Sequence, residues 1–117
     1  MQKGVSVQQL EPVFKIQANL DVEDSVFLTK ILFEYVLEGK IAFELNSKNG
    51  SVINEFFINV VGGLFASVLY DVVKNIYNYL RKQKLGGKKV NPVYILLRDR
   101  QYVLTGEDSD EIPQKEG

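Results

Sequence analysis

The chain has 117 residues, of which 45% are hydrophobic and 25% charged, and its formal net charge is −1 at pH 7. This is the composition of one globular domain, far from the range of disordered chains. Cysteine and histidine are both absent, which excludes disulfides, thiolate or imidazole metal ligands, and catalysis by Ser-His-Asp or Cys-His groups. Because the net charge is small, nucleic acid would have to bind a local basic patch.

The amino-terminal segment, MQKGVSVQQLEP, lacks the apolar core that a secretory signal needs. We therefore expect residues 1–12 to be a flexible terminus and the protein to be cytoplasmic, with peripheral membrane association as an alternative. From Val13 to Leu20 apolar and polar residues then alternate strictly. This alternation predicts a half-buried strand.

The next segment, residues 21–39, admits two interpretations. We favour a helix, since Asp21 or Asp24 can cap its start and Gly39 stands where a left-handed cap is needed. Its β-branched and aromatic residues leave open a hairpin with the strand that follows. That second strand is predicted by the alternation in KIAFELN, residues 40–46.

The longest apolar stretch predicts a long helix from about Val52 to Lys84. Such a helix would measure about 50 Å, so we expect a bend or break near Gly62-Gly63. Its uninterrupted apolar part, Phe56 to Tyr70, would be about 22 Å long, short of the roughly 30 Å of a bilayer core. We expect burial against strands in preference to a membrane span.

The carboxyl-terminal third contains VYILLRDRQYVLTG, which predicts two short strands joined across Asp99-Arg100. The acidic residues 107–117 predict a disordered tail. The fold class is then α+β: a small mixed four-stranded sheet, in the order strand, helix, strand, long helix, strand, strand, with helices packed on one face. One domain would span residues 13–106.

Small residues on the predicted long helix form a candidate interface. They are Gly62, Gly63, Ala66 and Ser67. Two interior glycines would cost about 1 kcal/mol each relative to alanine, so we expect another backbone to approach them closely. Close packing inside the monomer and a self-association or partner face are both open.

Basic residues are expected to gather around the end of the long helix and the last hairpin. They are Arg81, Lys82, Lys84, Lys88, Lys89, Arg98 and Arg100. One interpretation is a patch that binds nucleic acid or anionic membrane. The other is that they complement the helix dipole and keep a loop soluble.

Carboxylate clusters that could support catalysis or bind a cation occur only at Glu23-Asp24 and in the tail. The first is expected at a helix start, and the second lacks the glycine and spacing of an EF-hand loop. The sequence therefore predicts no catalytic residue, cofactor, metal or small-molecule substrate.

The glycine-containing apolar helix, the basic run RKQKLGGKK and the final hairpin resemble, over Val13 to Gly106, the constant-component domains that accompany variable effectors in some bacterial conflict systems. The chain departs from that family at Tyr35-Val36-Leu37, where a tryptophan is typical, and at Asp99-Arg100, where Asp-Gly is typical. The resemblance implies an adaptor role without catalytic residues.

These features predict a non-enzymatic protein-interaction or adaptor module that forms a homo-oligomer or binds a protein partner. The alternative is a weak binder of nucleic acid or anionic membrane through the basic residues of Arg81–Lys89.

Overall fold

The computed structural model describes residues 13–47 and 53–114, so the predicted flexible terminus, 1–12, lies outside the described residues. In chain order the elements are β1 (Phe14–Asn19), α1 (Val22–Leu37), β2 (Ile41–Ser47), β3 (Ile53–Val60), α2 (Phe65–Leu85), β4 (Val93–Leu96) and β5 (Gln101–Leu104). The fold is α+β, as predicted.

The sheet has five strands in the order β2-β3-β1-β4-β5, and every neighbouring pair is antiparallel. The prediction of a mixed, four-stranded sheet is therefore wrong. Along β1, Phe14, Ile16 and Ala18 are buried while Lys15 and Gln17 are partly exposed. Both helices contribute to the same buried cluster as the inward side chains of the strands, so both lie on one face.

The missing strand is β3, which the sequence reading assigned to the start of the long helix. Residues 53–60 pair with β1 on one side and β2 on the other. Phe56 and Ile58 point into the core, whereas Phe57 between them is only partly buried. The chain turns at Val61–Leu64, where Gly62 has φ +53°, and α2 begins at Phe65. The predicted break at the glycines is thus a change from strand to helix.

The helix favoured for residues 21–39 is confirmed as α1, and the hairpin alternative is excluded. The Asp21 carboxylate accepts a hydrogen bond of 2.8 Å from the Asp24 backbone N–H, which satisfies one unpaired donor of the first turn. At the other end Gly39 adopts φ +75°, the left-handed conformation that glycine allows at no steric cost.

The predicted disordered tail follows a defined course as far as Gln114. The Asp110 carboxylate accepts hydrogen bonds from the Thr105 backbone N–H and hydroxyl, both 2.7 Å, and from the Gly106 N–H, 2.8 Å. Pro113 is buried and Ile112 packs against the core. The composition of the tail does not predict these contacts, because one carboxylate that accepts three hydrogen bonds can hold a segment in place even when it has few apolar residues. Residues 115–117 of the predicted tail lie outside the described residues.

The two helices are joined by a contact at Tyr79 of α2. Its hydroxyl donates a hydrogen bond of 2.5 Å to Asp24 Oδ1, and its ring stacks on Phe27 with centroids 3.7 Å apart. Burial, with the hydrogen bond to Asp24, raises the pKa of Tyr79 from 10.0 to about 12. The folded state therefore favours the protonated phenol.

This pKa predicts a loss of stability in alkali. Because the folded pKa lies above the unfolded one, the stabilisation is complete below pH 10 and is lost as the pH rises towards 12. The free energy of unfolding, measured with urea between about pH 9 and 12, should fall more steeply for the wild type than for Tyr79→Phe. The control, Tyr94→Phe on the exposed sheet face, should keep the wild-type slope. Parallel curves for the wild type and Tyr79→Phe would contradict the assignment.

Candidate interaction surface

The four small residues of the predicted interface do not share a helix face. Gly62 and Gly63 are exposed in the turn before α2, while Ala66 and Ser67 lie in its first turn and are partly buried. A Cβ atom built on either glycine meets no atom within 4 Å. The expected tight contact at Gly62 and Gly63 is therefore absent from the described part of the chain. The positive φ of Gly62 explains the glycine at that position.

The seven basic residues form two separate groups. Arg98 and Arg100 lie in the turn between β4 and β5, and Arg100 lines a cavity together with Phe65 at the start of α2. Lys82 and Lys84 belong to the last turn of the same helix. Since Phe65 and Lys82 are 17 positions apart, they are about 25 Å apart along α2, and the two groups lie towards opposite ends of this helix.

Carboxylates of the chain offset much of the charge at the end of α2. Arg81 Nη1 lies 2.7 Å from Asp108 Oδ1, and Lys84 pairs with Glu107. Lys88, in the loop beyond α2, pairs with a residue of α1: its Nζ lies 3.0 Å from a Glu23 carboxylate oxygen, and the hydrogen bond raises the pKa of Lys88. The remaining two, Lys82 and Lys89, are exposed. The positive potential here is lower than the sequence implies.

Helix α1 has a second apolar face besides the one that packs on the sheet, and this face was not identified from the sequence. Leu28 and Leu32 are buried against the sheet. Away from them, four large side chains remain in solvent: Val22 is 81% exposed, Val26 61%, Phe33 52% and Leu37 72%. Their spacing of four, seven and four residues places them in one line along the helix. We call these four residues the α1 stripe.

The strand β2 is an edge of the sheet with few protective features. It pairs only with β3 among the described strands, in continuous register over seven residues. It has no proline, and its only charged residue is Glu44. The opposite edge, β5, has only four residues. Long, regular edges with uncharged inward faces are those that pair with other strands.

The α1 stripe and the edge of β2 lie on the same side of the molecule. The side of α1 that faces α2 is marked by Phe27, against Tyr79, and by Tyr35, whose hydroxyl accepts a hydrogen bond of 3.3 Å from Asn75. The stripe points away from these contacts. Because α1 packs against β2 and α2 packs against β5, this direction is towards the β2 end of the sheet. There Leu45, on the helix-facing side of β2, is 45% exposed. The α1 stripe, Leu45 and the outer edge of β2 together form what we call the α1–β2 flank.

A cavity of about 550 Å³ lies at the opposite end of the sheet, between the start of α2, the β4–β5 turn and residues 111–114. Phe65 and Leu69 contribute apolar walls. The rim carries charges of both signs, from Asp99, Glu111 and Arg100. Its size suits a small molecule, but the mixed rim indicates no particular class of ligand.

Comparisons with known proteins found no matching family model, curated protein or solved structure. Neither α1 nor α2 is long and apolar enough to cross a membrane. Across residues 13–47 and 53–114, no three acidic side chains are grouped so that they could hold a metal ion.

Proposed function

We propose that the protein is a non-enzymatic interaction module that associates with a second copy of itself through the α1–β2 flank. The observation that carries the proposal is the α1 stripe, four exposed apolar side chains in one line beside a sheet edge that no other described strand pairs with. Contiguous exposed apolar surface of this kind is typical of protein-interaction sites. Isolated exposed apolar residues, such as Leu85 at the end of α2, need no such explanation.

The proposal is tested by placing charges on the α1 stripe. The wild type is expected at twice its monomer mass of 13.3 kDa in light scattering at about 100 µM, where a dimer of micromolar affinity predominates. The variant Phe33→Glu/Leu37→Glu would bury four unpaired carboxylates per dimer, so its dissociation constant should rise at least about 100-fold.

The control variant is Leu85→Glu/Val103→Glu, which adds the same charge at exposed apolar positions outside the flank. It should retain the wild-type dimer, and both variants should keep the circular dichroism of the wild type. A monomeric wild type, or equal weakening by the two variants, would overturn the proposal.

Binding of nucleic acid or anionic membrane through Arg81–Lys89 stays a prediction with less support. Three of its five cations are paired with Glu23, Glu107 and Asp108. The cytoplasmic location and the adaptor role likewise remain proposals, and they rest on the sequence.

A further inference from the structure

We infer that two copies join through the outer edges of β2, antiparallel about a two-fold axis at Phe43, so that two five-stranded sheets become one. This inference rests on the proposed self-association and specifies its geometry. The α1 helices of the two copies then lie side by side on the same face of the joined sheet, and their stripes bury each other.

The hydrogen bonds to β3 determine which residues of β2 are available. The carbonyl of Lys40 accepts a hydrogen bond of 2.9 Å from the backbone N–H of Val61, which continues the register of β2 with β3 by one residue beyond the Ile41–Val60 pair. In an antiparallel ladder, alternate residues direct their backbone groups to opposite sides. Even-numbered residues of β2 therefore face β3, and the outward groups belong to Ile41, Phe43, Leu45 and Ser47.

Charge disfavours one centre of the pairing, and apolar matching decides between the others. A two-fold pairing of these outward groups must be centred on a single residue. A centre at Glu44 places that carboxylate directly opposite its own copy, which is unfavourable. A centre at Phe43 avoids this pair, because it sets Glu44 against Ala42 of the second copy, with Lys40 and Glu44 of that copy on the two diagonals.

The same register pairs the apolar residues. Phe43 lies opposite its own copy, and Ile41 lies opposite Leu45 of the second copy. A centre at Leu45 would instead set Phe43 against Ser47. A centre at Ala42 would set Lys40 against Glu44 and Ile41 against Phe43, but it would leave the exposed Leu45 opposite Gly39, outside the strand. The register centred at Phe43 therefore covers the exposed Leu45 and extends the apolar contact of the α1 stripes into the sheet.

The absence of cysteine makes the register directly testable by disulfide trapping. Ala42 and Glu44 are both exposed, so Ala42→Cys and Glu44→Cys should not disturb the fold. In the inferred register these two positions are directly opposite, about 4.5 Å apart between Cα atoms, which a disulfide can span. Each position is about 8 Å from its own copy, too far for a disulfide.

The expected result is that oxidation of an equal mixture of the two variants, carrying tags of different mass, gives mainly the mixed dimer. Phe43→Cys alone should also cross-link, because it lies on the axis. Efficient cross-linking of Glu44→Cys to itself would overturn the register, and the absence of any cross-link would overturn the edge pairing. Light scattering on the wild type, which has no cysteine, separates these failures from that of the proposed function, since a monomeric mass overturns both proposals.

Discussion

Gly106→Ala is expected to lower the free energy of unfolding by about 3 kcal/mol. Gly106 has φ +83°, and a Cβ atom there would lie 2.9 Å from the carbonyl carbon of Leu80 and 3.0 Å from the backbone nitrogen of Arg81. Both atoms belong to the backbone of α2, which cannot move without disturbing the buried Leu80. The substitution thus combines left-handed strain with a clash between the end of β5 and α2.

The matched control is Gly87→Ala. Gly87 has φ +85°, but a Cβ atom there meets nothing within 4 Å, so this variant should cost only about 1 kcal/mol of backbone strain. Urea unfolding of the two variants would give the difference, which measures the clash alone. Equal losses would show that residue 106 does not approach α2 as described.

A second large effect is expected at Leu32 of α1, which is 0% exposed. Leu32→Ala removes side-chain atoms from the centre of the core and leaves a cavity, so it should lower the free energy of unfolding by about 3 kcal/mol. Leu37→Ala, on the exposed stripe of the same helix, should change it by less than about 0.5 kcal/mol.

This pair of substitutions also tests the orientation of α1, on which the α1–β2 flank depends. The measurement belongs at the lowest protein concentration that gives a signal, because dimer formation would add stability that Leu37 helps to provide. A loss at Leu37 as large as that at Leu32 under those conditions would mean that the stripe is buried within the monomer.

Local alternation was sufficient to predict β1, β2 and the strands β4 and β5, whereas α1 was favoured over a hairpin by the residues that could cap its ends. Local alternation failed at β3, because the run EFFINVV is apolar at both helical and strand spacings. In the fold this segment is an interior strand, with Phe56 and Ile58 buried and Phe57 partly so. What decides between the two structures is the presence of β1 and β2 on either side, which pair with it along its whole length. A single-sequence pattern does not contain that information.

The candidate surfaces depended even more on tertiary contacts. The basic residues were evident from the sequence, but Lys88 is paired with Glu23, which precedes it by 65 positions. Conversely, the signal for the α1 stripe was present in the spacing of Val22, Val26, Phe33 and Leu37. It could not be separated from the core-facing residues until the contact between α1 and α2 fixed which side of the helix was buried.

The position of residues 110–114 determines where a domain fused to each copy would start in the proposed dimer. Asp110 and Pro113 hold this segment near β5, whereas the inferred pairing uses β2 at the other end of the strand order. A domain fused beyond Gln114 would therefore start at the outer end of each half of the joined sheet. With ten strands spaced about 4.8 Å apart, the two attachment points would be about 40 Å from each other. The dimer would therefore hold two attached domains at opposite ends of the joined sheet, away from the interface between the two β2 strands.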